Sequence, residues 1–457
     1  ATIVRGLTEK LQSTLSRPGH CIQVVFEYDP EASGGRIREM LLPSRRTAQN
    51  LGLHIGPLLE NWGQALERYC SHETCWLVLW TRPGVLSDGL RKTALQERTV
   101  SMRKAPMQPG CQQISAAIAG LHDAHSGFVT GVLDAFRQEE LLLYPLTPHE
   151  ALRDIRICVD PEFTSREWLA RIPGDALPLR LPDPGASPSA LLHNVVYPDF
   201  KTQLWPREGH LLSRSAITVG DRVFGPLIMT LMPQTPKPFQ EFFRVLSRRD
   251  ERLPYRMSFL LEPGGLHMGM KPLLSGILAF ASSDNKRFNN AVAALTALDL
   301  GGVCCVKFRI CCGTWVHIGA TIGATGPAGL SEKEAHLQLR RRMAELTKAI
   351  QGWGTTDVSE AVGDPLLGLA ATVPAMMPSS PAPITAAPLQ EAIGMLPLRS
   401  ASPWKEGSLL LRTQDGKLFP FAPNSSEQAA WIDLGVAPMG GGKSVFLNAM
   451  NFAFVTQ

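Results

Sequence analysis

The feature that most restricts the fold of this chain is the run Ala437, Pro438, Met439, Gly440, Gly441, Gly442, Lys443 and Ser444. It follows the phosphate-loop spacing G-x-x-x-x-G-K-[ST], with Ala437 standing where glycine is usual. Alanine keeps the small side chain that the turn requires. The three glycines can adopt dihedrals that turn consecutive N–H groups onto phosphate oxygens. Lys443 would reach the β- and γ-phosphates, and Ser444 would give its hydroxyl to Mg²⁺. The spacing therefore predicts ATP and Mg²⁺ as ligands, with Val445 completing the first helical turn. Trp431 to Val436 reads as a buried strand, and Val445 to Met450 as a helix, the order the motif needs. The bland alternative is a glycine-rich turn with an incidental lysine. A P-loop fold needs several more strands, so the chain reads as the front part of a longer protein. Position 1 is Ala rather than Met, so residues are expected to be missing there too.

Upstream, Ser408–Arg412 and Leu418–Phe421 flank Asp415-Gly416, a favoured hairpin turn pair. Pro420 predicts an edge strand. The hairpin either shelters a nucleotide base or only closes a sheet edge, and the pattern fits both.

The 457 residues suffice for two or three domains. An apolar fraction of 44% with 19% charged residues belongs to a globular protein. A net charge of +4 gives no indication of direct nucleic-acid binding. No apolar run reaches the eighteen or so residues that span a bilayer, and no signal peptide opens the chain. Any membrane role is expected to be peripheral or through partners. The cysteines total nine, an odd and scattered set that fits a reducing cytosol. Cys304, Cys305, Cys311 and Cys312 invite a zinc reading but lack the C-x2-C spacing of structural sites. Lys307 and Arg309 alternate with Phe308 and Ile310, which predicts a core strand.

Along the chain, residues 22–28 predict a strand, a helical stretch runs from about Thr47 to Tyr69, and Cys75–Thr81 is a second strand. Leu51, Leu58, Leu59, Trp62 and Leu66 would mark the helix's apolar face. A similar unit recurs as Tyr255–Leu261, helices over about 268–300, and a strand through 303–311. Ile217–Val219 and Val223–Met229 flank Gly220-Asp221 as a hairpin. Ser331 and Glu334 form a capping box opening a helix to about Gln351, stopped by Gly352. Its buried face is read as Leu337, Met343, Leu346 and Ile350, with Arg340, Arg341 and Arg342 mostly outside it on a solvated face. From Val373 to Pro403 seven prolines punctuate alanines and serines, which predicts an extended linker. The expected organisation is an α+β docking and assembly region over 1–372, splitting near 150–200 if it has two subdomains. A linker over 373–403 and the incomplete start of a nucleotide-binding domain over 404–457 follow. His122 and His125 are two imidazoles without further ligands, read as ordinary histidines, and Gly323, Gly326 and Gly329 as a loop.

The order of parts resembles the VirB-four class of type IV secretion ATPases, and more closely its IcmB/DotO branch, which includes the TraU proteins of IncI-type conjugation systems. The residues carrying this are Leu396 to Gly407 (LPLRSASPWKEG), Gln414 to Lys417 (QDGK), and Trp431 to Leu434 (WIDL) leading into the loop through Val445. Leu253 to Leu261 is similar to the strand opening the family's middle region, and Gly352-Trp353-Gly354 and Gly363-Asp364-Pro365 match features before its linker. The resemblance covers most of 150–457, is specific around 396–445, and leaves the first hundred residues to pattern alone.

The resemblance implies an α/β fold ending in the truncated start of a RecA-like ATPase domain. It implies an ATPase that is cytoplasmic, peripheral at the bacterial inner membrane and hexameric, with inner-membrane secretion-complex subunits and other secretion ATPases as partners. Lys443 and Ser444 would hold phosphate and Mg²⁺, with Gly440, Gly441 and Gly442 as the cradle. Ala437, Pro438 and Met439 are not the commonest loop residues, and the Walker B acid and any arginine finger would lie beyond Gln457. This chain alone is expected to bind nucleotide poorly and hydrolyse little. Two alternatives stand beside it: a DNA-pumping motor of the coupling-protein or HerA-like kind, and an assembly scaffold whose ATPase core has decayed.

Overall fold

The computed structural model describes residues 2–15, 18–104, 110–112, 117–165, 167–173, 175, 197–231, 236–247, 252–264, 304–318, 330–354, 357–360, 364–398, 407–413, 416–422 and 443–456. The elements are α1 (Thr2–Leu15), β1 (His20–Asp29), α2 (Ser33–Asn50), α3 (Gly56–Tyr69), β2 (His72–Thr81), α4 (Asp88–Lys104), α5 (Leu121–Gln138), α6 (Pro148–Val159) and α7 (Phe200–Leu204). They continue as β3 (Gly209–Ser213), β4 (Ala216–Val219), β5 (Arg222–Leu231), α8 (Phe239–Ser247), β6 (Tyr255–Pro263), β7 (Cys305–His317), α9 (Glu332–Gly352), β8 (Asp357–Glu360) and α10 (Pro365–Thr372). The last are β9 (Thr385–Pro388), α11 (Leu389–Gly394), β10 (Leu409–Arg412), β11 (Leu418–Phe421) and α12 (Lys443–Thr456).

Among the described residues, one sheet takes the order β2-β1-β6-β7-β5-β4-β3, with β8 added to β5 and β9 to β7. Every pairing in it is antiparallel. The protein is thus a mixed α/β structure built on a large antiparallel sheet. The four strands expected in the two strand–helix–strand units are present, and the structure pairs β1 with β2 and β6 with β7, each antiparallel. Helices expected over about 268–300, and the glycines at 323, 326 and 329, lie outside the described residues.

Strand periodicity divides the sheet into two chemically different faces. One face is apolar: Ile22, Val24, Phe26 and Tyr28 of β1, Met257, Phe259 and Leu261 of β6, and Val306, Phe308 and Ile310 of β7 share the main core. Helices α1, α5, α8 and α9 cover it with Leu7, Leu11, Val132, Phe242, Leu339 and Leu346. The alternate residues face the other way and are covered by α6, α7 and α10, where Ile155, Val159, Leu204 and Leu369 pack on Phe224 and Trp315.

Local corrections follow from packing. The stretch expected as one helix from Thr47 to Tyr69 is two, α2 and α3, joined by a turn in which Gly52 takes φ +66°, a left-handed conformation that glycine adopts without steric cost. Leu51 and Leu58 are exposed, while Leu59 and Leu66 are buried. The hairpin at Gly220 forms as read, with Gly220 at φ +56°. The capping box at Ser331 is present: Ser331 Oγ accepts from Glu334 N, and the Glu334 carboxylate accepts from Ser331 N at 3.0 Å. The buried face of α9, however, is Ala335, Leu339, Met343, Leu346, Ala349 and Ile350, whereas Leu337 is 59% exposed. Residues 339, 343, 346 and 350 follow the helical repeat and 337 does not.

The proline-rich stretch read as an extended linker is instead packed against the body at many of its described positions, with Pro378, Ser379, Pro383 and Ile384 among those left exposed. Val373 is buried against α6 and the sheet. Thr385–Pro388 pairs with β7, from Cys305↔Pro388 to Phe308↔Thr385. Leu389, Ala392, Ile393, Met395 and Leu396 join the main core. Prolines are tolerated here because β9 is a short strand at its free edge. The chain therefore remains part of the large core as far as 396.

Candidate functional site

Residues 437–442 and the expected strand at 431–436 lie outside the described residues. The described part of the phosphate motif is the helix that follows. α12 begins at Lys443, the position the motif requires, and Ser444 is exposed on its first turn. The first turn carries no acidic residue, so the partial positive charge of the helix N-terminus is not offset from within the helix.

Two neighbours hold this helix: α2 and the hairpin β10–β11. The hairpin β10–β11 runs in register from Leu409↔Phe421 to Arg412↔Leu418. Its turn has Gly416 at φ +82°, Gly416 N donating to Thr413 O at 3.1 Å and Lys417 N donating to Thr413 Oγ1 at 2.9 Å. Asp415, the other expected turn residue, lies outside the described residues. The hairpin is fixed to the junction between α3 and β2, where Ser71 N donates to Gly416 O at 3.0 Å. Leu409 of the hairpin, with Met450 and Ala453 of α12, forms a small core against Trp62 of α3, Leu411 and Phe421.

A second polar arrangement lies on the charged face of the large sheet, and sequence reasoning missed it. Arg256 of β6 is 1% exposed and opposes Glu27 of β1 across the strands. Its Nε donates to Glu27 Oε2 at 2.7 Å and an Nη donates to the Cys158 carbonyl at 3.0 Å. Arg222 of β5 opposes His317 of β7, and Arg222 and Arg256 lie over the Trp315 ring at 5.3 and 5.4 Å. The Glu162 carboxylate takes Arg222 Nε at 3.1 Å and His317 Nδ1 at 3.1 Å. Glu31 receives Arg342 of α9, which also donates to the Trp315 carbonyl at 2.5 Å. Arg342 thus leaves the solvated face expected for it, while Arg340 and Arg341 are exposed.

Burial alone would raise the Glu162 carboxyl, but the adjacent His317 and the charge of Arg222 reverse this and bring it to about 2. Burial likewise opposes ionisation of Glu27, and Arg256 and Arg222 outweigh it, so its value is lowered. Asp29 goes the other way: burial raises it, with Arg222 at 3.8 Å only partly compensating. At the far end of the same face, Glu262 pairs with Arg82 at 2.8 Å and Arg309 at 3.3 Å. Arg82 also reaches the Pro378 carbonyl, and Arg309 donates to the Ser380 carbonyl at 2.8 Å, which ties the 373–384 segment down. The signal for this face was the alternation of charge within strands otherwise apolar, such as Glu27, Arg256, Lys307 and Arg309. Such alternation ordinarily marks a solvent face.

The cysteine run lies in a core strand as expected: Cys311 and Cys312 are buried in β7, and Cys304 and Cys305 are partly buried at its start. All nine cysteines are free thiols. His125 of α5 lies 3.0 Å from Thr81 Oγ1, and His122 is exposed. Among the described residues, no three His, Cys, Asp or Glu side chains come together as a metal site. No described helix is long and apolar enough to cross a membrane. In comparisons with known proteins, no protein-family model matches the chain and no curated protein matches it significantly.

Proposed function

We propose that this chain belongs to an ATPase subunit of a bacterial type IV secretion or conjugation machine, one that energises assembly and substrate transfer. The observation that carries this reading is the run Ala437–Ser444 continued by a helix whose first residue is Lys443. A P-loop places its lysine and hydroxyl at the start of a helix, where both meet phosphate and Mg²⁺ together with the helix dipole. In this reading residues 404–457 open a RecA-like domain, and the sheet-based region before it docks the subunit to inner-membrane components and to neighbouring ATPases in a hexamer. The protein would act at the cytoplasmic face of the inner membrane as a peripheral component.

The role of the protein's own residues is binding and orientation. Lys443 would neutralise the terminal phosphates, Ser444 would hold the ion, and Gly440 to Gly442 would bring backbone donors close. ATP with Mg²⁺ supplies the phosphoryl group whose transfer to water releases the energy. In the complete protein, Lys443→Ala is expected to lower ATP turnover by about 10²-fold or more and to stop transport. Turnover and transport at wild-type levels in that variant would exclude the enzyme reading and leave the scaffold alternative.

A further inference from the structure

We propose that the end of the ionic sheet face, where Trp80, Glu262, Lys307, Arg309 and Arg82 come together, is a binding site for an oxyanion of the phosphate class. It does not depend on the nucleotide site proposed above. Strand register assembles the group. Trp80 of β2 opposes Cys21 of β1, and Glu262 of β6 opposes Lys307 of β7. β1 and β6 are neighbours, paired from Ile22↔Leu261, so one row crosses four strands. Arg309 stands two residues from Lys307 and therefore on the same face. Trp76, four residues from Trp80, marks that face too, because its indole donates to Asp154 of α6 at 3.0 Å. Arg82 follows β2 directly and closes over the row to reach Glu262 at 2.8 Å.

Charge and hydrogen bonding define what would bind. Three cations, Arg82, Lys307 and Arg309, meet one carboxylate, Glu262, which leaves two positive charges uncompensated. The Cys21 thiol lies among them, but burial pushes it up to about 11 against the pull of Arg82, Arg309 and Lys307, so it adds no negative charge. Arg309 uses its Nη atoms on Glu262 and on the Ser380 carbonyl, and its Nε is shielded from solvent without an acceptor. The Trp80 indole N–H is shielded and unpartnered in the same way. Lys307 takes no part in an ion pair or hydrogen bond among the described residues. Shielded donors of this kind are costly to leave unmade. An ammonium, a guanidinium Nε and an indole N–H can only donate, so the ligand must accept. A phosphate dianion matches both the donor set and the two charges, and guanidinium and ammonium groups recognise it well. Glu262, 7% exposed, fixes the two arginines from below, while the Arg82 side chain, 38% exposed, leaves the rim open to solvent.

The test uses the whole chain and inorganic phosphate, with chloride holding the ionic strength constant. Calorimetry and the shift in unfolding midpoint report binding for wild type, Lys307→Gln, Trp80→Phe and Lys443→Ala. Lys307→Gln changes a half-buried position, and Trp80→Phe removes the N–H while keeping a ring, so both are expected to fold. Phosphate is expected to bind wild type and Lys443→Ala alike. It should bind Lys307→Gln about 10-fold or more weakly, and Trp80→Phe about threefold more weakly. Glycerol 3-phosphate serves as a second arm. Tighter binding than inorganic phosphate, lost in Lys307→Gln, supports the site with a phosphate monoester as its occupant; weaker binding supports it with the free ion. Equal phosphate affinity in wild type, Lys307→Gln and Trp80→Phe overturns the proposal, and so does a midpoint shift that chloride reproduces at the same ionic strength. Loss of phosphate binding in Lys443→Ala alone would put the anion at the phosphate loop, which overturns this site and leaves the nucleotide reading standing.

Discussion

Arg256 illustrates how a single side chain acquires meaning only from its neighbours. A guanidinium 1% exposed would be prohibitively placed alone, and here it has Glu27, the Cys158 carbonyl and the Trp315 ring. Such a pair contributes little net stability, because both ions have lost their water, but removing one partner is costly. Arg256→Ala is expected to destabilise the fold by about 3–5 kcal/mol in chemical denaturation, because Glu27 loses its hydrogen-bonded partner and keeps the charge of Arg222 nearby. The double replacement Glu27→Gln with Arg256→Met should recover much of that loss; a double variant as unstable as the single one would show that shape, not charge, sets the cost. Glu162 makes a prediction in pH. Its folded value of about 2 lies below the ordinary 4.5, so its contribution is complete above about pH 4.5 and is lost as pH falls towards 2. Because Glu162 is exposed at the edge of the site and solvent screens its charges, Glu162→Gln should lower stability by only about 1 kcal/mol at neutral pH, while flattening the acid limb of the stability curve. An acid limb identical to wild type would mean that the His317 and Arg222 contacts do not persist in solution.

Secondary-structure elements divide by how local their determinants are. The capping box at Ser331, the hairpin turn at Gly220 and the alternation in β7 lie within a few residues of the elements they specify, and each formed where its pattern placed it. The face of α9 was harder: both Leu337 and Leu339 are apolar, and only the position of the sheet decides which one is covered. The 373–403 segment misled for a related reason. Proline, alanine and serine report that a stretch makes few hydrogen bonds of its own, and they do not report whether a neighbouring strand supplies them. Cys304 O accepts from Leu389 N at 2.8 Å, and β7 pairs with β9, so the segment is held by residues distant in sequence. Ile393→Asp tests this directly. A buried helix position in the main core should cost more than about 3 kcal/mol in urea denaturation, whereas a spacer would tolerate the change within about 0.5 kcal/mol.

At the scale of the molecule, the large antiparallel sheet has one apolar face and one ionic face, both covered. Covering the ionic face requires α6, the 160–162 turn and the 373–384 segment to bring their own partners: Glu162, the Cys158 carbonyl, and the carbonyls at 378 and 380. The hairpin is attached where α3 passes into β2, and α12 packs on α2 and on the hairpin, so that helix is seated on the body that the sheet supports. From sequence alone came the strands, the capped helix and the turns, and the spacing on which the phosphate-site proposal rests. Each is encoded by side-chain periodicity or by the conformational needs of a few adjacent residues, and so needs no partner to be recognised. Tertiary structure alone decided that the charged strand face is buried and that much of the proline-rich stretch packs on the body. Those outcomes depend on which surfaces meet, because burial is a property of pairs of surfaces brought together across hundreds of residues, and no local pattern carries it.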